Sequence, residues 1–241
     1  MPRSRFRRLD RRARWGAIAG AVVLAAACGD PSSPAEGGEG DGAALRVING
    51  DVVPMAVLVD GRTVVAQLLP GTISSTLRVA PGARRVELRG ATDGVATVDV
   101  AATRNDTLTV TAQRQGSGRT TAAVLADTGR IVPAGASKLR VVHMAPNAPP
   151  LDVWRTQPDF ATPITLMFPF PYGASSSYVQ STPGTWEVRV SRGSGAPDGR
   201  PVSGGWDAAL ARMPIAVPAG QLRTLVILDG PNGTVRLAVL E

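Results

Sequence analysis

The sequence predicts an all-β protein in which two tandem antiparallel β-sandwiches follow an export signal and a flexible linker. Three observations lead to this expectation. Short runs rich in Val and Thr alternate between apolar and polar residues, and turn residues separate these runs at short intervals. The second half of the chain also repeats the plan of the first half.

The N-terminus has the composition of an export signal. Residues 1–14 contain seven arginines and one acidic residue, Asp10, and residues 15–27 are apolar. This apolar run is shorter than the roughly 20 residues that a membrane-spanning helix needs. A charged segment followed by a short apolar segment is typical of signal peptides, so we expect residues 1–27 to be one.

Cys28, the only cysteine, directly follows the apolar segment. With Leu24 and the three alanines before it, Cys28 resembles the lipobox of bacterial lipoproteins, although Leu lies one place further from Cys than usual. The resemblance implies that Cys28 is acylated and anchors the mature protein in a membrane, since several acyl chains give stable anchoring. The alternative is a small residue beside an ordinary cleavage site.

Residues 28–43 are rich in Gly, Ser, Pro and acidic residues and are predicted to be a flexible linker. A coil of this length would separate the lipid from the first domain by about 20 Å. Of the 26 basic and 19 acidic residues, seven and one precede Cys28, which leaves the mature chain with 19 and 18 and a net charge of +1. The remaining arginines are scattered, which argues against nucleic-acid binding.

The body of the chain begins at Ala44 and reads as β-strands throughout. Asp60-Gly61 is a type I′ hairpin dipeptide, and Pro81-Gly82 and Asp93-Gly94 mark further turns. The predicted strands of the first half include residues 56–59, 63–66, 76–79, 85–89, 96–100 and 107–111. Short strands at this spacing are typical of sandwiches, here of the immunoglobulin-like or transthyretin-like kind.

The two sandwiches are predicted at residues 44–129 and 138–241, joined through residues 129–137. Leu45-Arg46-Val47 aligns with Leu139-Arg140-Val141 at an offset of 94, and later residues align at an offset of 102. We assign the difference to an excursion at residues 158–172. Each half has the length of a domain with its own core.

The stretch Leu139 to Trp154, LRVVHMAPNAPPLDVW, resembles the opening of the bacterial family known as domain of unknown function 4397 (DUF4397). Residues 178–190 resemble a later segment of the same family, and Leu45 to Asn49 is a weaker copy of the opening. The resemblance implies a β-sandwich-like module that is often found at cell surfaces and has no established activity. It implies no catalytic residue, cofactor or metal ligand.

The residues that could carry chemistry are few. One histidine and one cysteine exclude the common His/Cys zinc sites. His143 could act as a base oriented by Asp152, with one of residues 175–177 as the nucleophile. The alternative is a structural role, in which His143 bonds to a carboxylate such as Asp152 or to a loop carbonyl. Asp152 and Asp159 could also form a glycosidase pair, although such residues are commonly solvated.

Aromatic residues are concentrated in the second half, and four of them are candidates for a binding surface: Phe160, Phe168, Phe170 and Tyr172. They lie among prolines in the excursion, and a stiff loop with exposed rings is suited to recognition. The alternative is that these rings cap the open end of the sandwich and are buried.

These features together predict a non-enzymatic, membrane-anchored lipoprotein of the cell envelope, located in the periplasm or at the outer membrane or cell surface. Its expected partners are the membrane, through the lipid anchor, and an envelope protein or glycan, with no cofactor, metal or nucleic acid. The alternative is an envelope hydrolase that uses His143 with a serine or a carboxylate.

Overall fold

In the part of the chain that the structure describes, the strands form four sheets, two in each half. The computed structural model describes residues 42–90, 94–125, 131–156, 164–193 and 209–240, but not the side chains of residues 164, 165, 167 and 168. The predicted signal peptide and Cys28 lie outside these ranges. The predicted all-β, sandwich-like fold class is confirmed.

In the first half, one sheet has the order β4-β1-β8-β9, with β5 also paired to β1, and the other has the order β3-β2-β6-β7. The strands are β1 Ala43–Gly50, β2 Met55–Val59, β3 Arg62–Leu68, β4 Thr72–Ile73, β5 Leu77–Val79, β6 Gly82–Gly90, β7 Val95–Ala102, β8 Thr107–Arg114 and β9 Thr120–Val124. The pairing is antiparallel except between β1 and β8, which run parallel.

The second half has the same arrangement, with sheets β13-β10-β16-β17 and β12-β11-β14-β15. Its strands are β10 Ser137–Met144, β11 Leu151–Thr156, β12 Ile164–Phe170, β13 Val179–Ser181, β14 Gly184–Arg192, β15 Ala211–Val217, β16 Leu222–Asp229 and β17 Val235–Leu240, with a 3-10 turn at Pro231–Gly233 before β17. The parallel pair is now β10 and β16. The sandwiches are therefore antiparallel apart from one parallel pair in each half.

The local sequence accounts for these strands and turns. In β1, Ala43, Leu45 and Val47 lie two residues apart and face the core, whereas Ala44 and Arg46 between them are only half-buried, as the period of two in a strand requires. The two residues between β2 and β3, Asp60 and Gly61, have φ values of 50° and 79°. Both values are positive, as the predicted type I′ turn needs.

Three clusters of buried apolar side chains hold the sheets together. The first lies between the two sheets of the first half and includes Leu45, Val57 and Leu88. The second lies between the two sheets of the second half and includes Leu151 and Leu225. The third joins the two halves and is formed by Ile48, Leu125, Val142, Met144, Val226 and Leu228. The halves are thus in contact through buried apolar surface.

The predicted excursion at residues 158–172 is a loop only in part. Residues 157–163 lie outside the described ranges, but Ile164–Phe170 is strand β12, paired with β11. Pro169 is compatible with this strand because β12 is at the edge of its sheet, where a missing N–H breaks no ladder. The difference in offset between the halves also does not arise from the excursion alone. The loop before β11, residues 145–150, is two residues longer than the loop before β2, residues 51–54.

Candidate functional site

The His143 ring is fully buried near the end of β10 and is hydrogen-bonded to the backbone of the loop that follows. Nδ1 accepts a hydrogen bond from the N–H of Ala145 at 3.3 Å, which leaves the ring proton on Nε2, 3.4 Å from the carbonyl oxygen of Pro149. Burial lowers the pKa of His143 below its ordinary value, because the charged ring would lose its hydration. The neutral ring therefore closes the proline-rich loop onto the strand.

Asn49 occupies the same position in the first half and makes the same kind of contacts. Its Oδ1 accepts a hydrogen bond from the N–H of Asp51 at 2.9 Å, again two residues further along the chain. Its amide nitrogen donates to the carbonyl oxygens of Val53 and Leu68, both at 2.9 Å. An amide with no basic nitrogen therefore makes, in the first half, the contacts that His143 makes in the second.

Ser176, one of the serines that were candidate nucleophiles, also has a counterpart with the same structural contact. The hydroxyl of Ser176 accepts a hydrogen bond from the N–H of Val141 at 3.0 Å, and that of Ser74 accepts one from Val47 at 3.0 Å. The Ser176 hydroxyl donates to the carbonyl oxygen of Ser177 at 2.8 Å. This hydroxyl holds the segment before β13 against β10, and neither ring nitrogen of His143 bonds to it.

Asp152 is not brought into a pair with His143. It lies on β11 between Leu151 and Val153, which both face the core, so its side chain points to the opposite face of the sheet. Asp152 is 2% exposed and lies close to Gly193, where a Cβ atom would be 3.5 Å from its Oδ1. Of the two partners considered for His143, the structure provides the loop carbonyl. Asp159 lies outside the described residues.

The four aromatic candidates do not form one exposed surface. Phe170 is fully buried in the core of the second half, because it lies opposite Leu151 on the inner face of the sheet. Tyr172 is half-buried, and its ring meets that of His143 edge to face at a centroid distance of 6.2 Å. Phe160 lies outside the described residues, as does the side chain of Phe168. For Phe170, the structure therefore agrees with the alternative interpretation, in which the ring is buried and does not bind a partner.

Tyr172 connects the two halves through its hydroxyl group. The hydroxyl donates to the carbonyl oxygen of Gly50 at 2.6 Å and accepts from the N–H of Arg114 at 2.6 Å. Both partners end strands of the first half. Burial is the main cause that raises the pKa of Tyr172 from its ordinary value of 10.0 to about 12, so the phenol remains a hydrogen-bond donor in alkaline solution as well. No pattern in the sequence indicates this role, since the partners are backbone groups far away in the chain.

Two glycine turns make reciprocal contacts at this junction. Gly71, in the turn before β4, has a φ of 63°, and a Cβ atom there would lie 2.7 Å from the carbonyl oxygen of Asp229 in the second half. Gly173 has a φ of 80° and corresponds to Gly71, and its carbonyl oxygen accepts a hydrogen bond from Gln113 of the first half at 3.5 Å. Arg236 donates in turn to the carbonyl oxygen of Gly71. Each half therefore contacts the same turn of the other half.

Polar pairs hold the loops that border the junction. The buried carboxylate of Asp51 is 3.1 Å from the guanidinium of Arg114 and accepts a hydrogen bond from the Thr120 hydroxyl at 2.5 Å. In the second half, Asn147 donates to the carboxylate of Asp229 at 2.7 Å. Burial raises the pKa of Asp229, and the hydrogen bond from Asn147 partly offsets this effect.

The described ranges contain no group of three or more His, Cys, Asp or Glu side chains that could hold a metal ion. Within those same residues, no helix has the length and apolar character needed to cross a membrane. The hydrogen bonds described across the junction join side chains of one half to backbone groups of the other, and they lie beside buried apolar side chains.

Fold and junction together define an all-β protein of two docked, similarly built halves. A family model described as a domain of unknown function (DUF4397) matches residues 43–154. This range begins with β1 and ends in β11, so it covers the first half and the opening of the second half. It includes Leu139 to Trp154, which opens the resemblance, and the weaker copy at Leu45 to Asn49, but it stops before residues 178–190.

The other comparisons add little. No curated protein matches the chain. Among solved structures, a leucine-rich repeat protein from Bacteroides thetaiotaomicron is similar over 77% of this chain and 26% of its own, with 14% identity and a TM-score of 0.20. The chain spans about a quarter of that protein's length. A similarity at this level carries no argument about fold or function.

Proposed function

We propose that this protein is a non-enzymatic lipoprotein of the cell envelope. In this proposal, the signal peptide is removed, Cys28 is acylated, and residues 28–43 tether the folded halves to a membrane, in the periplasm or at the outer membrane or cell surface. The folded halves then act as a structural or binding module for an envelope protein or glycan. The anchor rests on the sequence around Cys28.

The observation that carries the non-enzymatic part is the equivalence of His143 and Asn49. The only histidine of the chain is buried, its two ring nitrogens are bonded to backbone groups, and an asparagine makes similar contacts in the other half. Because an amide makes these contacts in the first half, they require a hydrogen-bonding group at the strand end and do not require a base. This supports a structural role for His143.

The proposal includes a second copy of the DUF4397 domain in the second half. Strand order is the same in both halves, each with one parallel pair, and the serines before β5 and β13 accept the same backbone hydrogen bond. The glycine turns at residues 71 and 173 also correspond, since each N–H donates to the carbonyl group of Asn49 or His143. These matches support an internal duplication.

Lipid attachment is tested by growing cells that express the full-length protein with radiolabelled palmitate. We expect the label in the wild-type protein and none in a Cys28→Ser variant, which should move from the membrane fraction to the soluble fraction. An Ala27→Ser variant is a matched control, because it changes the neighbouring residue and keeps the thiol. Equal labelling of wild type and Cys28→Ser would contradict the anchor.

A His143→Asn variant separates the structural role from the hydrolase alternative. If His143 is structural, this variant folds and has the same activity as wild type towards ester, amide and glycoside substrates. A folded His143→Asn protein that loses a hydrolytic activity of the wild type would establish the hydrolase instead.

A further inference from the structure

Arg155 lies near the end of β11. It is on the same face of the strand as Leu151 and Val153, which both pack in the core. It is only 8% exposed. One guanidinium nitrogen, Nη1, donates to the hydroxyl of Ser181, and the guanidinium carbon lies 4.7 Å from the centre of the Trp186 ring. The Nε atom is buried and has no hydrogen-bond partner.

The same position in the first half is apolar. Val59 faces Val86 across its ladder as Arg155 faces Val188, and Val59 has the same exposure, 8%. A nearby pair of buried residues is also more polar in the second half than in the first. The pair is Ala43 and Val79 in the first half and Ser137 and Ser181 in the second. One end of the second sandwich has therefore become polar where its counterpart is closed by apolar side chains.

This replacement costs stability in the free protein. A buried charge without a counterion is strongly unfavourable, and the valine of the first half shows that the fold closes this end without it. No acidic side chain of the described residues pairs with Arg155. The acid closest to Trp186 in the chain, Glu187, is bound to the guanidinium of Arg189 at 2.9 Å. Loss of hydration accordingly lowers the pKa of Arg155.

We propose that Arg155 and Trp186 form a binding site for the carboxylate group of an acidic sugar. The edge of the guanidinium formed by Nε and Nη2 is the one that binds a carboxylate through two parallel hydrogen bonds, and Nη1 is already held by Ser181. Stacking on Trp186 fixes the plane of the guanidinium, so little freedom is lost on binding. The bound carboxylate supplies the missing counterion.

The surroundings favour a sugar as the carrier of this carboxylate. The exposed chain neighbours of Ser181 and Trp186 are polar and uncharged, namely Gln180, Thr182 and Thr185. Hydroxyl and amide groups of this kind match a ligand that is rich in hydroxyl groups beyond its carboxylate. This inference rests on the proposed envelope function for the choice of an acidic glycan and names the ligand class of that function.

The test is isothermal titration calorimetry of the full-length protein in detergent with D-glucuronate and D-galacturonate. We expect at least one of these sugars to bind, and D-glucose to bind at least tenfold more weakly. Arg155→Val, which copies the first half, should abolish binding and melt at the same or a higher temperature than wild type. Arg155→Lys keeps the positive charge but lacks the guanidinium edge that makes two parallel hydrogen bonds, so it should bind the sugar at least tenfold more weakly than wild type.

Arg212→Val is the matched control, because Arg212 is exposed on β15, and its affinity should equal that of wild type. The proposal is overturned if neither acidic sugar binds at concentrations up to about 10 mM, a very weak affinity, or if wild type and Arg155→Val bind equally. It is also overturned if a peptide with a free C-terminal carboxylate or inorganic phosphate binds more tightly than both sugars. If Arg155→Val does not fold, Arg155→Lys decides in the same way.

The two proposals fail separately. A Cys28→Ser protein should bind the acidic sugar as the wild type does, since the anchor is far from β11 in the chain. Sugar binding without palmitate labelling would overturn the lipid anchor alone, and labelling without sugar binding would overturn the carboxylate site alone.

Discussion

The hydroxyl of Tyr172 lies 2.6 Å from the carbonyl oxygen of Gly50, so a side chain of the second half closes the end of the first strand of the first half. The same hydroxyl accepts the N–H of Arg114. Both backbone groups would otherwise need another partner at a partly buried position. The two halves are therefore connected by specific hydrogen bonds as well as by apolar contact.

Tyr172→Phe should lower the free energy of unfolding by about 1–3 kcal/mol, because it leaves the Gly50 carbonyl and the Arg114 N–H without their partner. Urea unfolding of both proteins measures the change. Tyr178→Phe is the matched control for the loss of a phenol hydroxyl, since Tyr178 contacts Thr224 within the second half. Equal stability of Tyr172→Phe and wild type would mean that the hydroxyl does not hold the junction.

Phe170→Ala should lower the free energy of unfolding by about 3–5 kcal/mol, because it leaves a cavity beside Leu151 in the core of the second half. Thermal unfolding gives the comparison. Ile131→Ala, at a position that is 87% exposed, should change stability by no more than about 0.5 kcal/mol. An unchanged melting temperature for Phe170→Ala would contradict the burial of this ring and support an exposed position at a binding surface.

His143 should make stability depend on pH. Its pKa in the folded protein is below the ordinary value of 6.5, so the unfolded chain binds the proton more readily. The neutral ring makes its full contribution to the free energy of unfolding above about pH 6.5. This contribution is lost as the pH falls through 6.5 towards the lower pKa of the folded protein. Wild type should therefore lose stability relative to His143→Asn as the pH falls below that value.

Replacing His143 by alanine should be more harmful than replacing it by asparagine. Alanine leaves the buried N–H of Ala145 without its acceptor, which costs about 1–3 kcal/mol, whereas asparagine copies the first half. In urea unfolding at pH 8, we expect the free energy of unfolding to decrease in the order wild type, His143→Asn, His143→Ala. A parallel pH dependence of wild type and His143→Asn would show that the ring does not titrate in this window.

Met144→Ala should destabilise the protein by about 2–5 kcal/mol and weaken the contact between the halves, because Met144 packs with Ile48 of the first half. In calorimetry, this variant should separate the unfolding of the halves more than Leu225→Ala, whose side chain lies within the second core only. If both variants shift only the second half and leave the first unchanged, the halves unfold independently.

Local rules predicted much of the fold. The alternation in strands such as β7, predicted at residues 96–100, and the turn at Asp60 and Gly61 depend on neighbours in the chain, and their predicted structure agrees with the observed one. The sequence also contains a signal for Arg155. Arg155 continues the series Leu151 and Val153 on one face of a strand, and a charged residue in such a series indicates a special position.

What the sequence determined by itself is the all-β class and the approximate strands, because strand periodicity and turn conformations are properties of short segments. Only the tertiary structure decided that β1 pairs in parallel with β8, that Phe170 is buried and that Tyr172 reaches Gly50. These features depend on which surfaces meet when distant segments pack together. A period of two fixes which side chains share a face but not what covers that face.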